Sequence, residues 1–250
     1  MTRHFIKFIA WITIFALFTW ALLEAVRPLN TNAATLYNGG FSAASTTLSL
    51  TNNTTKYTVL FWGKMLGTTG GGFAFLFGGA DIVWGIAQRG AGAGNVMSCQ
   101  TNTNAGVIAN GAQPPGTNWM GYACTINTSN ITNFYQFNLD GTLFATGAGT
   151  LGAITTTTAD SVYIGSIGGG AVPWNGAIRG FQVFHYTMTQ NQIRNALMAR
   201  SPYQIGSPDY FFPLTANTDV RGWLNGARLA LTSIVAATTV KDPPIGMLPF

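Results

Sequence analysis

In the stretch NFYQFNLDGTLFAT, residues 133–146, Tyr135, Phe137 and Leu139 alternate with Phe134, Gln136 and Asn138 before Asp140-Gly141 leads into Leu143-Phe144-Ala145. A period of two marks an extended strand, whose successive side chains point to opposite faces. Asp-Gly between two such runs predicts a hairpin closed by a type I′ turn, because both central residues of that turn need positive φ. Two neighbouring antiparallel strands are therefore expected here.

Working outward, the same texture recurs. Thr47–Leu50 reads as a strand with Asn52-Asn53-Thr54-Thr55 as its turn, and Tyr57–Lys64 (YTVLFWGK) reads as a buried strand. Gly70-Gly71-Gly72 turns the chain into Phe73–Phe77, and Ile82–Gln88, Val96–Gln100, Trp119–Ile126, Ser161–Gly165 and Ala177–Tyr186 supply further strands. Short strands separated by Gly, Asn, Thr and Pro predict an all-β sandwich or barrel. One short helix interrupts the series at Thr189–Met198. Thr189 with Gln192 makes a capping box, Met188 with Ile193 makes a hydrophobic staple, and Ile193, Ala196 and Leu197 share one face. The helix is expected to lie flat on the sandwich. From 201 to 250 the chain carries Pro202, Pro208, Pro213, Pro243, Pro244 and Pro249 and one apolar stretch at Leu229–Val235. This segment reads as an extension packing on the sandwich, with one edge strand.

The composition suits this reading. Hydrophobic residues make up 47% of the 250 and charged residues only 8%, against roughly 25% charged in an ordinary soluble domain. Gly, Thr, Asn, Ser and Ala fill the gap and favour pleated surfaces and turns. A surface with so few charges is expected to rest against something or to carry glycans. Of the twelve Lys and Arg, Arg3, Lys7 and Arg27 flank the N-terminal segment, which leaves nine against six Asp, scattered along the rest. No basic stripe forms, which excludes a nucleic-acid partner.

Phe8–Leu23 (FIAWITIFALFTWALL) is an unbroken apolar run with Phe8, Trp11, Ile14, Phe18 and Leu22 along it, Arg3, His4 and Lys7 before it and Pro28 after it. It reads as a membrane segment within residues 1–34, either a retained signal anchor or a cleaved signal peptide. Positive charge on its N-terminal flank keeps the N-terminus inside and sends the rest of the chain across the membrane. The bulk of the chain is thus expected outside the cytoplasm, anchored to a cell or virion membrane. In such a compartment Cys99 and Cys124 are expected to form a disulfide, the alternative being two buried thiols.

The succession YTVLFWGKM, NWMGYACTI, FYQFNLDGTLFATG, DSVYIGS and WNGAIRGFQVFHYTMTQNQI resembles the laminin-G-like branch of the concanavalin A-like lectin/glucanase superfamily. The resemblance spans roughly Leu48 to Leu197. It implies a two-sheet antiparallel jelly-roll sandwich over residues 35–200, with Trp62, Trp119 and Trp174 as core or rim-packing aromatics. The end of the chain, FFPLTANTDVRGWLNG with KDPPIG, resembles tails found beside such modules in phage and virus structural proteins.

Glucanases of that superfamily use paired carboxylates alternating along one strand. Here the sole Glu is Glu24, and no Asp has an acidic partner at i+2 or i+4, so hydrolysis is not expected. His185 is the single histidine beyond the N-terminal segment and reads as a structural strand residue with a satisfied ring. Two cysteines and one histidine cannot build a zinc site. Many laminin-G-like modules hold calcium with Asp carboxylates at the sandwich rim, which makes Asp81 and Asp160 the calcium candidates, although no D-x-D or D-x-N cluster marks them. Otherwise no cofactor is expected, and Asp140 reads as the hairpin turn. Glycan binding needs an aromatic platform beside amides and charges; Trp84 with Gln88 and Arg89, near Asp81, is the candidate set. Sequons at Asn52, Asn53, Asn127 and Asn130 matter in a host that N-glycosylates.

Two function classes fit these features. One is a non-enzymatic, membrane-tethered structural or assembly protein, a minor component of a virion or surface layer docked on other subunits. The alternative is a surface adhesin or lectin that binds glycans.

Overall fold

The alternating runs form strands in the computed structural model of the protein, which describes residues 35–37, 43–48, 56–65, 72–77, 84–88, 97–100, 106–108, 118–129, 131–150, 160–165, 174, 176–199, 208–212, 214 and 230–232. All belong to one compact unit, 32–250. The N-terminal apolar segment lies outside the described residues, among which no helix is long and apolar enough to cross a membrane.

Numbered along the chain, the strands assort into two antiparallel sheets. In the first the order is β1 (Thr35–Tyr37), β12 (Gly176–Phe184), β3 (Tyr57–Met65), β8 (Trp119–Ile126), β9 (Ile131–Phe137) and β10 (Leu143–Thr150), with β13 (Tyr210–Phe212) also paired to β12. The second runs β14 (Ala230–Thr232), β2 (Ala43–Leu48), β11 (Asp160–Ile164), β4 (Gly72–Phe77), β5 (Trp84–Gln88), β6 (Met97–Gln100) and β7 (Gly106–Ile108). Strand β2 begins at Ala43, earlier than the sequence suggests, Ser49 and Leu50 lie outside the described residues, and the tail supplies both β13 and the edge strand β14.

The centre of the first sheet, at β12, β3 and β8, is buried on both faces, which explains why β3 and β8 read as nearly continuous apolar runs, while β9 and β10 leave one face partly exposed. Tyr57, Val59 and Phe61 of β3 and Met120, Tyr122, Cys124 and Ile126 of β8 pack with Ile86, Met97, Cys99 and Ile164 of the second sheet. Leu60, Trp62, Trp119 and Ala123 point the other way and pack under helix α1 (Gln190–Met198) with Ile193, Ala196 and Leu197. Fully burying one such large side chain stabilises by about 2–3 kcal/mol, so the core gains from both layers. Thr189 caps α1 in the predicted box with Gln192, and Met188 and Ile193 share the cluster beneath it. At the other end Trp62 Nε1 donates to the Leu197 carbonyl at 2.9 Å, satisfying one of the acceptors that every helix end leaves open.

Two local geometries differ from the expectation. The hairpin between β9 and β10 is not a type I′ turn. Gly141 has φ +78°, Asp140 is not in the positive-φ region, Gly141 N donates to Asn138 O and Asn138 N donates to Thr142 O. That is a three-residue loop, a turn over Leu139-Asp140 ending with glycine in the left-handed conformation. Asp140 prefers it because its Oδ1 accepts from both the backbone N and the Oγ1 of Thr142. The second difference lies in β12, where Arg179 pairs with Trp62 but Gln182 pairs with Leu60, leaving Gly180 and Phe181 opposite Phe61. Gly180 takes φ +62°, as the first residue of a glycine bulge does. The bulge resets the alternation, so Ile178, Phe181 and Val183 all face the interior while Ala177 and Phe184 lie under the helix.

Candidate functional site

The second sheet brings two of the site candidates named from sequence to one end. Trp84 opens β5 and pairs with Phe77, the last residue of β4. Phe77 also pairs with Val162 of β11, two residues from Asp160, which opens that strand opposite Leu48. Strands lie ~4.8 Å apart, so β11 and β5, separated only by β4, place the Asp160 and Trp84 ends about 10 Å apart across the sheet. Asp81 lies outside the described residues, in the segment connecting β4 to β5. Gln88 closes β5 at the opposite end, paired with Gly72 and Met97, roughly 13 Å from Trp84 along the strand at ~3.3 Å per residue. Arg89 comes next in the chain, also outside the described residues. Among the described residues no group of three or more His, Cys, Asp or Glu could hold a metal ion.

Cys99 on β6 and Cys124 on β8 join the two sheets across the core, with S–S 2.02 Å and Cα–Cα 6.0 Å. Trp62 and Trp174 are fully buried and Trp119 is 5% exposed. Burial pushes the Tyr122 hydroxyl far above the usual phenol range.

The first sheet carries a cluster that sequence reasoning missed. His185 lies just past the end of β12, and its Nδ1 lies 2.7 Å from Oδ2 of Asp209, which also accepts from the His185 backbone N at 2.6 Å. Asp209 N donates to Val183 O. Burial alone would raise the Asp209 carboxyl. The His185 ring hydrogen bond, the attraction to the imidazole and the His185 backbone N–H outweigh it and hold the carboxyl below its ordinary range. Tyr57 lies against the imidazole at 5.5 Å between ring centroids, and burial with the Asp209 charge pushes the nearby Tyr186 hydroxyl up. With Nδ1 bonded to the carboxylate, Nε2 is buried and meets no hydrogen-bond partner among the described residues. Among the described residues the ring is therefore only half satisfied. A histidine oriented by an aspartate resembles the base of an acyl-transfer triad, but the nucleophile hydroxyl or thiol that a triad needs at Nε2 is absent among the described residues. The pair instead fastens the segment leading into β13. Nothing in the sequence pairs them: His185 reads as part of the strand Ala177–Tyr186, and Asp209, 24 residues on, lies in the Pro-rich extension.

The concanavalin A-like lectin/glucanases superfamily, through its laminin-G-type model, matches residues 38–194. Among solved structures, the fold is similar to that of a candidate carbohydrate-binding protein from Bacteroides ovatus, at TM-score 0.54 and 15% identity over 81% of this chain and 62% of that one. It is similar also to the heptameric SAP-like pentraxin of Limulus polyphemus, at TM-score 0.54 and 15% identity over 81% of this chain and 96% of that one. The chain thus spans less than two thirds of the Bacteroides protein, and at these identities both likenesses show the fold alone. Trypanosoma rangeli sialidase matches at TM-score 0.43 over 56% of this chain and 22% of its own, too slight to bear on catalysis. A search of curated proteins gave no match. The family match covers more than half the sequence and falls on the two antiparallel sheets and the short helix described above: the chain belongs to the laminin-G-like family of the concanavalin A-like lectin/glucanases superfamily.

Proposed function

We propose that this protein is a non-enzymatic glycan-binding module, held outside the cytoplasm by its N-terminal segment, that recognises sugar at the Trp84–Asp160 end of the second sheet. The observation that carries the reading is the strand register, which brings the start of β5 and the start of β11 to one end of that sheet. An indole and carboxylates are the residue types that suit a pyranose, whose apolar face stacks on a ring while its hydroxyls donate to acidic oxygens. Asp81 and Asp160, with carbonyls of neighbouring connections, are also the oxygen donors that a calcium ion bridging protein and sugar would take. The fold likeness to a candidate carbohydrate-binding protein supports the same class of ligand. The test is a glycan array probed with the full chain, with calcium and with chelator, beside Trp84→Ala. Binding to a defined glycan that the substitution abolishes supports the reading; an array without signal, or undiminished binding by the variant, overturns it.

A second reading is favoured by a different observation, the 8% charge together with the apolar run Phe8–Leu23. It is a structural or assembly component of a surface layer or membrane-containing particle, with the segment in the membrane and the sandwich docked on neighbouring subunits. Such a protein fractionates with membranes or particles and is not eluted by soluble glycan, whereas a lectin is.

A further inference from the structure

The connection from β8 to β9 begins Asn127-Thr128-Ser129, an Asn-x-Ser sequon. Its backbone is held by the Asn127 side chain. Asn127 Oδ1 accepts from Ser129 N at 2.9 Å and from Ile131 N at 3.0 Å, while Asn127 N donates to Ile131 O at 3.1 Å. Two converging N–H donors require an acceptor, which fixes which branch of the amide is oxygen. Nδ2 is then on the branch turned away from the backbone, and it donates to no described residue. Thr128 and Ser129 are exposed and Asn127 is half-buried.

We propose that Asn127 is an N-glycosylation site, its Nδ2 the acceptor for an oligosaccharide in an export compartment that carries the transferase. The amide nitrogen attacks the anomeric carbon of an oligosaccharyl diphosphate lipid. A C–N bond forms, the C–O bond to phosphate breaks, the lipid diphosphate departs with the electron pair, and Nδ2 loses one proton.

The structure separates this sequon from its neighbour. In Asn130-Ile131-Thr132 the hydroxyl-bearing Thr132 is fully buried in β9, with no hydrogen-bond partner for its Oγ1 among the described residues, on the interior face beside Phe134. That hydroxyl is closed off in the folded chain, whereas Ser129 stands in solvent. Asn52 and Asn53 lie outside the described residues. A glycan on the Asn127 turn leaves both sheets intact, and it would solubilise the surface of a chain with only 8% charged residues.

The experiment expresses the full chain, with its own N-terminal segment, in cells with an N-glycosylating secretory pathway, and locates glycan by peptide mass before and after peptide N-glycosidase. Glycan at Asn127 is expected in the parent and in Ser129→Thr, and is lost in Asn127→Gln and in Ser129→Ala. The last variant keeps the backbone N–H bonded to Asn127, so its loss of glycan cannot be ascribed to a broken turn. A parent chain with Asn127 unmodified, or modification that survives Ser129→Ala, overturns the proposal.

Discussion

Oδ2 of Asp209 lies 2.7 Å from Nδ1 of His185 and 2.6 Å from the backbone nitrogen of the same residue, so one carboxylate oxygen ties the tail to the end of β12. Beyond it, Tyr210, Phe212 and Leu214 enter the same interior cluster as Phe61 and Phe181. These residues lie past the 38–194 span of the family match, and the folded unit therefore continues at least to Leu214.

Asp209→Asn is expected to lower stability by about 1–2 kcal/mol, the worth of a charge-assisted hydrogen bond discounted for an oxygen pair that is partly in water. The effect depends on pH with a definite sign. The folded carboxyl titrates below its unfolded value, so the parent's advantage is fully present above the ordinary carboxylate range and disappears as pH falls through the folded value. Urea midpoints of parent and variant should converge in acid and separate towards neutrality; a constant gap across that range would show that the carboxylate charge is not the cause.

Phe212→Ala tests whether the tail belongs to the core. Phe212 is fully buried and lies against Phe181 at 6.2 Å between centroids. Truncating a buried phenylalanine costs about 3–5 kcal/mol. A thermal midpoint unchanged by the substitution would mean that the sandwich closes without β13.

How far the sequence can be read depends on whether a pattern is local. The hairpin runs, the Trp119–Ile126 strand and the Thr189 cap are legible because period, turn residue and capping pair all sit within a few positions. The three-residue strands β1, β7 and β13 are not, since three residues carry no period and exist only because a longer neighbour offers its edge. The Asp140 turn misleads because Asp-Gly suits two hairpin geometries, and the choice falls to the Asp140–Thr142 hydrogen bonds. His185 and Asp209 are each visible, but their meeting depends on β13 pairing with β12. For the candidate glycan site the residue types and the separation of Trp84 from Gln88 along one strand are legible, while the pairing of β4 with both β5 and β11, which brings the Trp84 and Asp160 ends of those strands together, is not.

The Cys99–Cys124 bond closes 25 residues and joins opposite sheets. In the chain-entropy treatment such a closure stabilises by about 3 kcal/mol, chiefly by restricting the unfolded chain. Replacing both cysteines with alanine should lower the urea midpoint accordingly while the far-ultraviolet spectrum keeps its β character. Coincident unfolding curves for the two proteins would remove the bond from the account of stability.

The bulge at Gly180 makes the sharpest prediction about how sequence sets the core. Strict alternation through Ala177–Phe184 would put Ile178 on one face and Phe181 and Val183 on the other, yet all three face inward. The extra residue opposite Phe61 does this, and its φ of +62° costs an L side chain roughly 1–2 kcal/mol. Gly180→Ala should therefore fold but with stability reduced by about that amount. Two single-residue deletions then separate the bulge from the pattern it corrects. Removing Gly180 leaves a regular strand in which Phe181 alone opposes Phe61, so plain alternation keeps Ile178, Phe181 and Val183 inward and the pairing with β13 unchanged. Removing Gln182 keeps the bulge but slips the strand beyond it by one residue, which turns Val183 towards helix α1 and Phe184 into the sandwich. The Gly180 deletion should retain a sigmoidal urea transition, and the Gln182 deletion should lose it. Equal tolerance of both deletions would show that the facing of Phe181 and Val183 is not set by the residue count along β12.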